Sequence, residues 1–170
     1  PDALPLTIKL TFDPASGKLY GGQCVGNEGV DKRIDQIALI IKNGGTVYDL
    51  MKVEHTYAPP FSSAKDPIAI AGYTANNIIS GAMPIVTGRQ IARADLSDIL
   101  LLDVRIREEH AFGAIPGSVN IPLEELRSRL GELPHKKAIY VYCAVGLRGY
   151  LAVKILSGHG FRNVKNLSGG

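Results

Sequence analysis

One cysteine in this chain stands where sulfur chemistry is physically favoured. Cys143 closes the apolar run Ala138-Ile-Tyr-Val-Tyr142 and opens the loop Ala144-Val145-Gly146-Leu147-Arg148, which leads into a helical stretch. A short continuous apolar run fits a parallel strand covered on both faces. In open α/β sheets, ligands bind beyond the carboxyl ends of such strands. A strand-to-helix loop can turn its N–H groups inward as an anion nest, and the helix N-terminus adds positive potential. Both effects favour a thiolate, so a thiol held there should ionise more readily than usual. Gly146 gives the loop freedom to curl, and Arg148 is expected to offer a fixed positive charge at the rim. This set would suit a thiolate nucleophile acting on anions. The competing reading is an inert core cysteine, since free Cys is among the most buried residue types.

Other candidates carry less. Cys24 lies within a strand and reads as core. His55 reads as a surface or hydrogen-bonded loop residue, and His110, His135 and His159 have no ligand-like spacing and read as solvated. Asp103 and Arg105, just past a strand, read as braces for neighbouring loops. Glu108, Glu109, Glu124 and Glu125 fall near helix starts, where the dipole favours acids. Two cysteines supply neither a disulfide framework nor a zinc site.

The elements that must position these residues fall into two groups. Leu6–Phe12 alternates as a half-buried strand, Asp13-Pro14-Ala15-Ser16-Gly17 is turn chemistry, and Lys18–Val25 returns. Gly21-Gly22 in the return strand predicts a bulge or a close backbone approach. Ile34, Ile37, Ala38 and Ile41 form a helical stripe, with Leu39 and Ile40 outside it, and Gly44-Gly45 ends the helix. Thr46–Asp49 resembles a capping box. Asp66-Pro67 predicts a helix start, with Ile68, Ala71, Ala75 and Ile78 on one face. Beyond a joint at Gly81–Gly88 the pattern becomes strand (Ile99–Val104), helix (Arg107–Phe112), helix (Leu123–Leu130), strand (Ala138–Tyr142) and helix (Arg148–Ser157). The expected fold class is therefore an α+β piece, then an α/β piece with a parallel sheet.

Composition limits the partners. With 170 residues, 45% hydrophobic and 21% charged, the chain can bury one core or two small ones. Net charge is −1 over residues 1–84 and +4 over 85–170. That is too mild for a nucleic-acid face, though it is compatible with an anion site in the second half. The longest apolar run, Ala138–Val145, is far short of the roughly 18 residues of a membrane span. A reducing, cytoplasmic setting is expected, with no nucleic-acid or membrane partner. Pro1 and Ser168-Gly169-Gly170 read as cut edges of something longer.

Two stretches carry resemblances. Leu102-Asp103-Val104-Arg105, Glu109, Gly113–Pro122 and the loop Cys143-Ala-Val-Gly-Leu-Arg148 resemble rhodanese-type sulfurtransferases, whose active-site cysteine carries a persulfide sulfur. Ala114 stands where that family commonly has histidine, Gly149 where serine is frequent, and a last helix normally follows Gly170. Gly29–Asp35 and Tyr57–Pro67 resemble the dimerisation domain of flavin-dependent pyridine nucleotide–disulfide oxidoreductases, in particular coenzyme A disulfide reductases and related NADH oxidases. The resemblances imply a dimerisation domain over 1–81 and a rhodanese-like domain over 82–170, its last helix missing. They imply catalysis by Cys143, anion binding by Ala144, Val145, Gly146, Leu147 and Arg148, small anionic sulfur donors, and thiol acceptors. They imply a homodimer in which Tyr57 reaches the partner's disulfide-reducing centre while Phe61 and the helix over 30–43 hold the interface. No cofactor is expected in this stretch itself; FAD, NAD(P)H and coenzyme A are implied for an intact enzyme. Two alternatives stay open: an idle dimerisation or interaction module, and a cysteine phosphatase. The phosphatases share the fold but resemble one another in having five residues between Cys and Arg, against four between Cys143 and Arg148.

Overall fold

Alternation decides the first pair of strands. In β1 (Leu6–Phe12), Leu6, Ile8, Leu10 and Phe12 are half-buried and the residues between them are exposed. The computed structural model, which describes residues 4–59 and 63–170, pairs β1 antiparallel with β2 (Leu19–Gly26). The register slips at Thr11/Phe12, which leaves Tyr20 as the extra residue of a bulge. Gly22 is a close approach: a Cβ there would lie 2.7 Å from Ile37 Cγ2.

Helix α1 (Val30–Lys42) turns Ile34, Ile37, Ile40 and Ile41 to the core. Ala38, expected inside, is exposed, and Ile40, expected outside, is packed. The rotation buries an isoleucine in place of an alanine, which removes more apolar area from water. Leu39 stays exposed. Asp49 opens α2 (Val47–Leu50) by accepting from the Thr46 N–H at 2.8 Å and from Thr46 Oγ1 at 2.7 Å.

Buried Asp66 starts α3 (Pro67–Ile79): it accepts from the Ile68 N–H at 3.0 Å and pairs with Arg33 of α1 at 2.8 Å. His55 Nε2 lies 2.7 Å from Gln36 Oε1 and 3.7 Å from Asp66 Oδ1, which ties the segment after α2 to the same acid. The buried face of α3 is Ile68, Ala69, Gly72 and Ala75, with Ala71 and Ile78 only half-buried. Gly72 explains the difference. It lies against Leu50 and Met51, so the smallest residues of α3 face α2 and allow close packing. The core of this unit, Pro1–Ala82, is built from Leu19, Ile37, Val47, Leu50, Ile68 and Ala75.

The second unit, Met83–Gly170, is a five-stranded parallel sheet in the order β3-β7-β6-β4-β5. Its strands are β3 (Ile85–Val86), β4 (Ile99–Asp103), β5 (Val119–Asn120), β6 (Ala138–Tyr142) and β7 (Val164–Leu167). Its helices are α4 (Gly88–Ile91), α5 (Arg107–Phe112) and α6 (Leu147–Gly158). The helix expected over Leu123–Leu130 is instead two 3₁₀ turns, Leu126–Ser128 and Leu130–Glu132. Leu123/Leu126 and Leu130/Leu133 each sit three apart and all touch the core. A 3₁₀ turn eclipses such residues, so it serves this spacing better than an α-helix. Strands β3, β5 and β7 had no apolar run to announce them. They are short, and Val164-Lys-Asn-Leu carries two polar residues. Among the described residues no helix is long and apolar enough to cross a membrane.

Candidate active site

The central strand, β6, ends at Tyr142, and Cys143 follows it directly. Parallel registers bring neighbouring strand ends to the same edge: Asp103 of β4 lies opposite Tyr142, and Asn166 of β7 opposite Val141. Cys143 is only 4% exposed and belongs to the same core cluster as Val104, Val141 and Val153. Burial alone would therefore fit the inert cysteine. The donors around the sulfur separate the two readings.

The Gly146 N–H donates to Cys143 Sγ at 3.0 Å, and the Gly149, Val145 and Arg148 N–H groups also favour its charged form. Burial pushes the Cys143 thiol up, yet these four amides outweigh it and hold it below its ordinary value. Gly146 makes the curl possible, with φ +97° at the N-cap of α6. Two members of the expected loop differ in role. Ala144 and Leu147 are not among these four donors; both are exposed, and Leu147 is already the first residue of α6. Gly149, absent from the expected set, supplies a donor instead.

Arg148 is not the free rim charge that was expected. Glu109 of α5 takes both its Nη atoms, at 2.6 and 2.8 Å. Arg148 is thus held in an ion pair, and the charges of Glu109 and Cys143 both favour its protonated form. Glu109 thus does more than favour a helix start. Its own position depends on Asp103, which is fully buried and accepts from Arg105 at 2.7 Å and contacts His110 Nδ1 at 2.9 Å. Burial pushes the Asp103 carboxyl up, and its bonds to Arg105 and His110 prevail, bringing it down to about 2. Arg105 also reaches the Gly113 carbonyl at 2.7 Å, so both ends of α5 are fixed. The brace reading of Asp103 and Arg105 agrees with this geometry. The solvated reading of His110 does not hold, whereas His135 is exposed as expected and stacks one face on Phe161 at 4.2 Å.

Three further residues were not read from the sequence as site residues. Tyr142 receives the Ile115 N–H at 3.2 Å and lies 2.8 Å from Ser118 Oγ. Asn166 Nδ2 donates to the Gly146 carbonyl at 3.1 Å. The backbone of Gly170 lies against the Ala144–Val145 peptide, where a Cβ would collide with it. No periodicity marks these positions, because strand registers and a chain reversal create the contacts. In the first unit, Tyr57 is half-exposed. Phe61 lies outside the described residues. Cys24 is partly buried against its core, and burial pushes its thiol up. Among the described residues no group of three His, Cys, Asp or Glu could hold a metal ion.

The second unit is thus an α/β scaffold with a buried thiol just beyond the carboxyl end of its central parallel strand. Residues 87–170 match the rhodanese-like domain, and residues 2–69 match the pyridine nucleotide-disulphide oxidoreductase dimerisation domain. The chain belongs to the rhodanese-like family, with that dimerisation domain ahead of it. A sulfurtransferase of Allochromatium vinosum is 38% identical over 77 residues, which are 45% of this chain and 72% of that protein. A coenzyme A disulfide reductase of Staphylococcus epidermidis is 43% identical over 75 residues, 44% of this chain and 17% of that protein. The structure of reduced Bacillus anthracis CoADR-RHD superimposes with a TM-score of 0.94 at 49% identity, covering 100% of this chain and 30% of that one. An NAD-dependent persulfide reductase from A. fulgidus gives 0.83 at 38% identity, covering 97% and 29%. The chain thus spans less than a third of those two structures.

The two thiols of this chain provide an internal comparison. Alkylation by iodoacetamide across a pH series should give Cys143 a midpoint below that of an ordinary thiol, about 8.5. Cys24 should titrate above it. Equal midpoints, or the reverse order, would show that the amide ring does not govern the Cys143 sulfur.

Proposed function

We propose that this chain transfers sulfur through a persulfide on Cys143, within a longer FAD- and NAD(P)H-dependent coenzyme A disulfide or persulfide reductase. The observation that carries the reading is the buried Cys143 sulfur at the end of β6, which accepts the Gly146 N–H at 3.0 Å where α6 begins. The thiolate attacks the outer sulfur of an anionic donor such as thiosulfate. The new S–S bond forms as the donor's S–S bond breaks, and sulfite leaves with the electron pair. The terminal persulfide sulfur then passes to a thiolate or cyanide, which returns Cys143 as thiolate. The amides and Arg148 face negative charge at each stage, which is where preorganised donors act most strongly. The donor and acceptor are small anions and thiols, with coenzyme A or a reductase thiol as acceptor in the longer enzyme.

The sequence has no G-x-G-x-x-G after a strand, so its own residues make no pyrophosphate cradle. We assign FAD and NAD(P)H to other parts of a longer chain, and no step here runs through them. Two unpaired cysteines support a reducing, cytoplasmic setting. The first unit is read as a homodimerisation element. Tyr57, half-exposed on a segment tied down by His55, is free to meet a partner's centre, and exposed Leu39, Tyr20 and Val25 supply apolar surface.

Cys143→Ser should lower thiosulfate-to-cyanide transfer by about a thousandfold or more while leaving the melting temperature near that of the wild type. Unchanged transfer would remove Cys143 from the reaction. Aryl phosphates should not be turned over, since a loop of four intervening residues is cramped for a phosphate tetrahedron; robust Cys143-dependent hydrolysis would favour the phosphatase reading. Sedimentation at rising concentration should show a homodimer of this chain, and a strict monomer at the highest attainable concentration would contradict the dimerisation reading.

A further inference from the structure

Asn166 is a buried amide whose hydrogen bonds do not balance. It is 3% exposed, in a strand of otherwise ordinary packing. Its Nδ2 donates to the Gly146 carbonyl at 3.1 Å and lies 3.7 Å from Met83 Sδ. Its Oδ1 is buried and has no hydrogen-bond donor among the described residues. An amide turned the other way would set its oxygen against the Gly146 carbonyl, two acceptors face to face. The Gly146 carbonyl therefore fixes the orientation. Leaving a buried acceptor unmet is costly, and an apolar side chain of similar size would avoid that cost. An unmet group of this kind in a native core calls for a reason beyond stability.

The reason lies in what the two ends of the amide touch. Nδ2 holds Gly146, whose N–H donates to Cys143 Sγ at 3.0 Å. Oδ1 occupies the space beside Gly149, so closely that a Cβ on Gly149 would collide with it. Gly149 supplies another of the four amides that serve the sulfur. One side chain thus spans the first turn of α6, bonded to its N-cap residue and wedged against its third residue. Gly149 has to be glycine for this wedge to fit. Asn166 itself is anchored by its own N–H, which donates to the Pro84 carbonyl of the neighbouring segment at 2.9 Å.

We propose that Asn166 is a positioning residue for the nucleophile, bracing Gly146 and Gly149 so that their amides point at the Cys143 sulfur. It touches neither the sulfur nor a substrate; it acts through the loop. The proposal rests on the sulfur-transfer reading only for its effect on rate, because the state of the thiol can be measured without any transfer.

The test uses the whole 170-residue chain. In Asn166→Ala the alkylation midpoint of Cys143 should rise by about half a unit to one unit, as expected for weakening one hydrogen-bonded contact to the thiolate. Thiosulfate-to-cyanide transfer should fall roughly tenfold or more, with a cooperative melting transition retained. Gly149→Ala should raise the midpoint too, by driving the methyl into Oδ1. Adding Asn166→Ala to Gly149→Ala should leave the midpoint at the value of Asn166→Ala alone, because the clash and the brace are removed together. An unshifted midpoint in folded Asn166→Ala overturns the proposal, as does a double variant whose shift is the sum of the two single shifts. If Asn166→Ala does not fold, an unshifted midpoint in Gly149→Ala is the overturning result. A wild-type protein that transfers no sulfur while these midpoints shift would reject the functional reading and leave the brace standing.

Discussion

A sulfur that must carry negative charge while buried at the end of a strand is the constraint on which this reading of the second unit depends. Cys143 is enclosed by apolar side chains, and burial disfavours its charged form. The compensation comes from the main chain. The Gly146 N–H donates to the sulfur and neighbouring amides favour its charge; they are available because a helix is just beginning and its first N–H groups have no partners within it. The loop is thus a way of bringing unpaired donors into a dry place. Water could solvate the same thiolate in the open, but it would have to reorganise as charge moves between sulfurs. Fixed amides need not.

Much of the remaining architecture serves to hold that loop still. The parallel order places β6 in the middle, so both flanking strands can supply supports at the same edge. From β4 comes Asp103, which fixes Arg105 and His110 and so seats α5; α5 carries Glu109, which holds Arg148 against the loop. From β7 comes Asn166, under Gly146 and Gly149. The acid network works by charge and the amide by shape. Each acts from a side of the loop that the other does not reach.

The legible part of this protein was the part written as local pattern. Cys143 after an apolar run, Gly146 as a curl and the strands over Ile99–Asp103 and Ala138–Tyr142 all follow from neighbours in sequence. Asp66-Pro67 and Thr46–Asp49 announced their helices for the same reason. What escaped was whatever depends on register or on partners distant in the chain. Arg148 looked free because Glu109 lies 39 residues away, and nothing drew attention to Asn166 because Gly146 lies 20 away. Helix faces were misjudged where size decided the outcome, as with Ala38 against Ile40 in α1 and Gly72 in α3. Gly149 stood out only as a departure from the rhodanese pattern; the space it leaves for Asn166 is the physical content of that departure.

The central claim is that the amide ring exists to carry a sulfur on Cys143. Intact-mass spectrometry of the chain after incubation with thiosulfate and removal of excess donor tests it most directly, with peptide mapping to place any added mass. The account predicts a single added sulfur, located on Cys143 and discharged by cyanide. A protein that stays unmodified, or that carries the added sulfur on Cys24 instead, would contradict it.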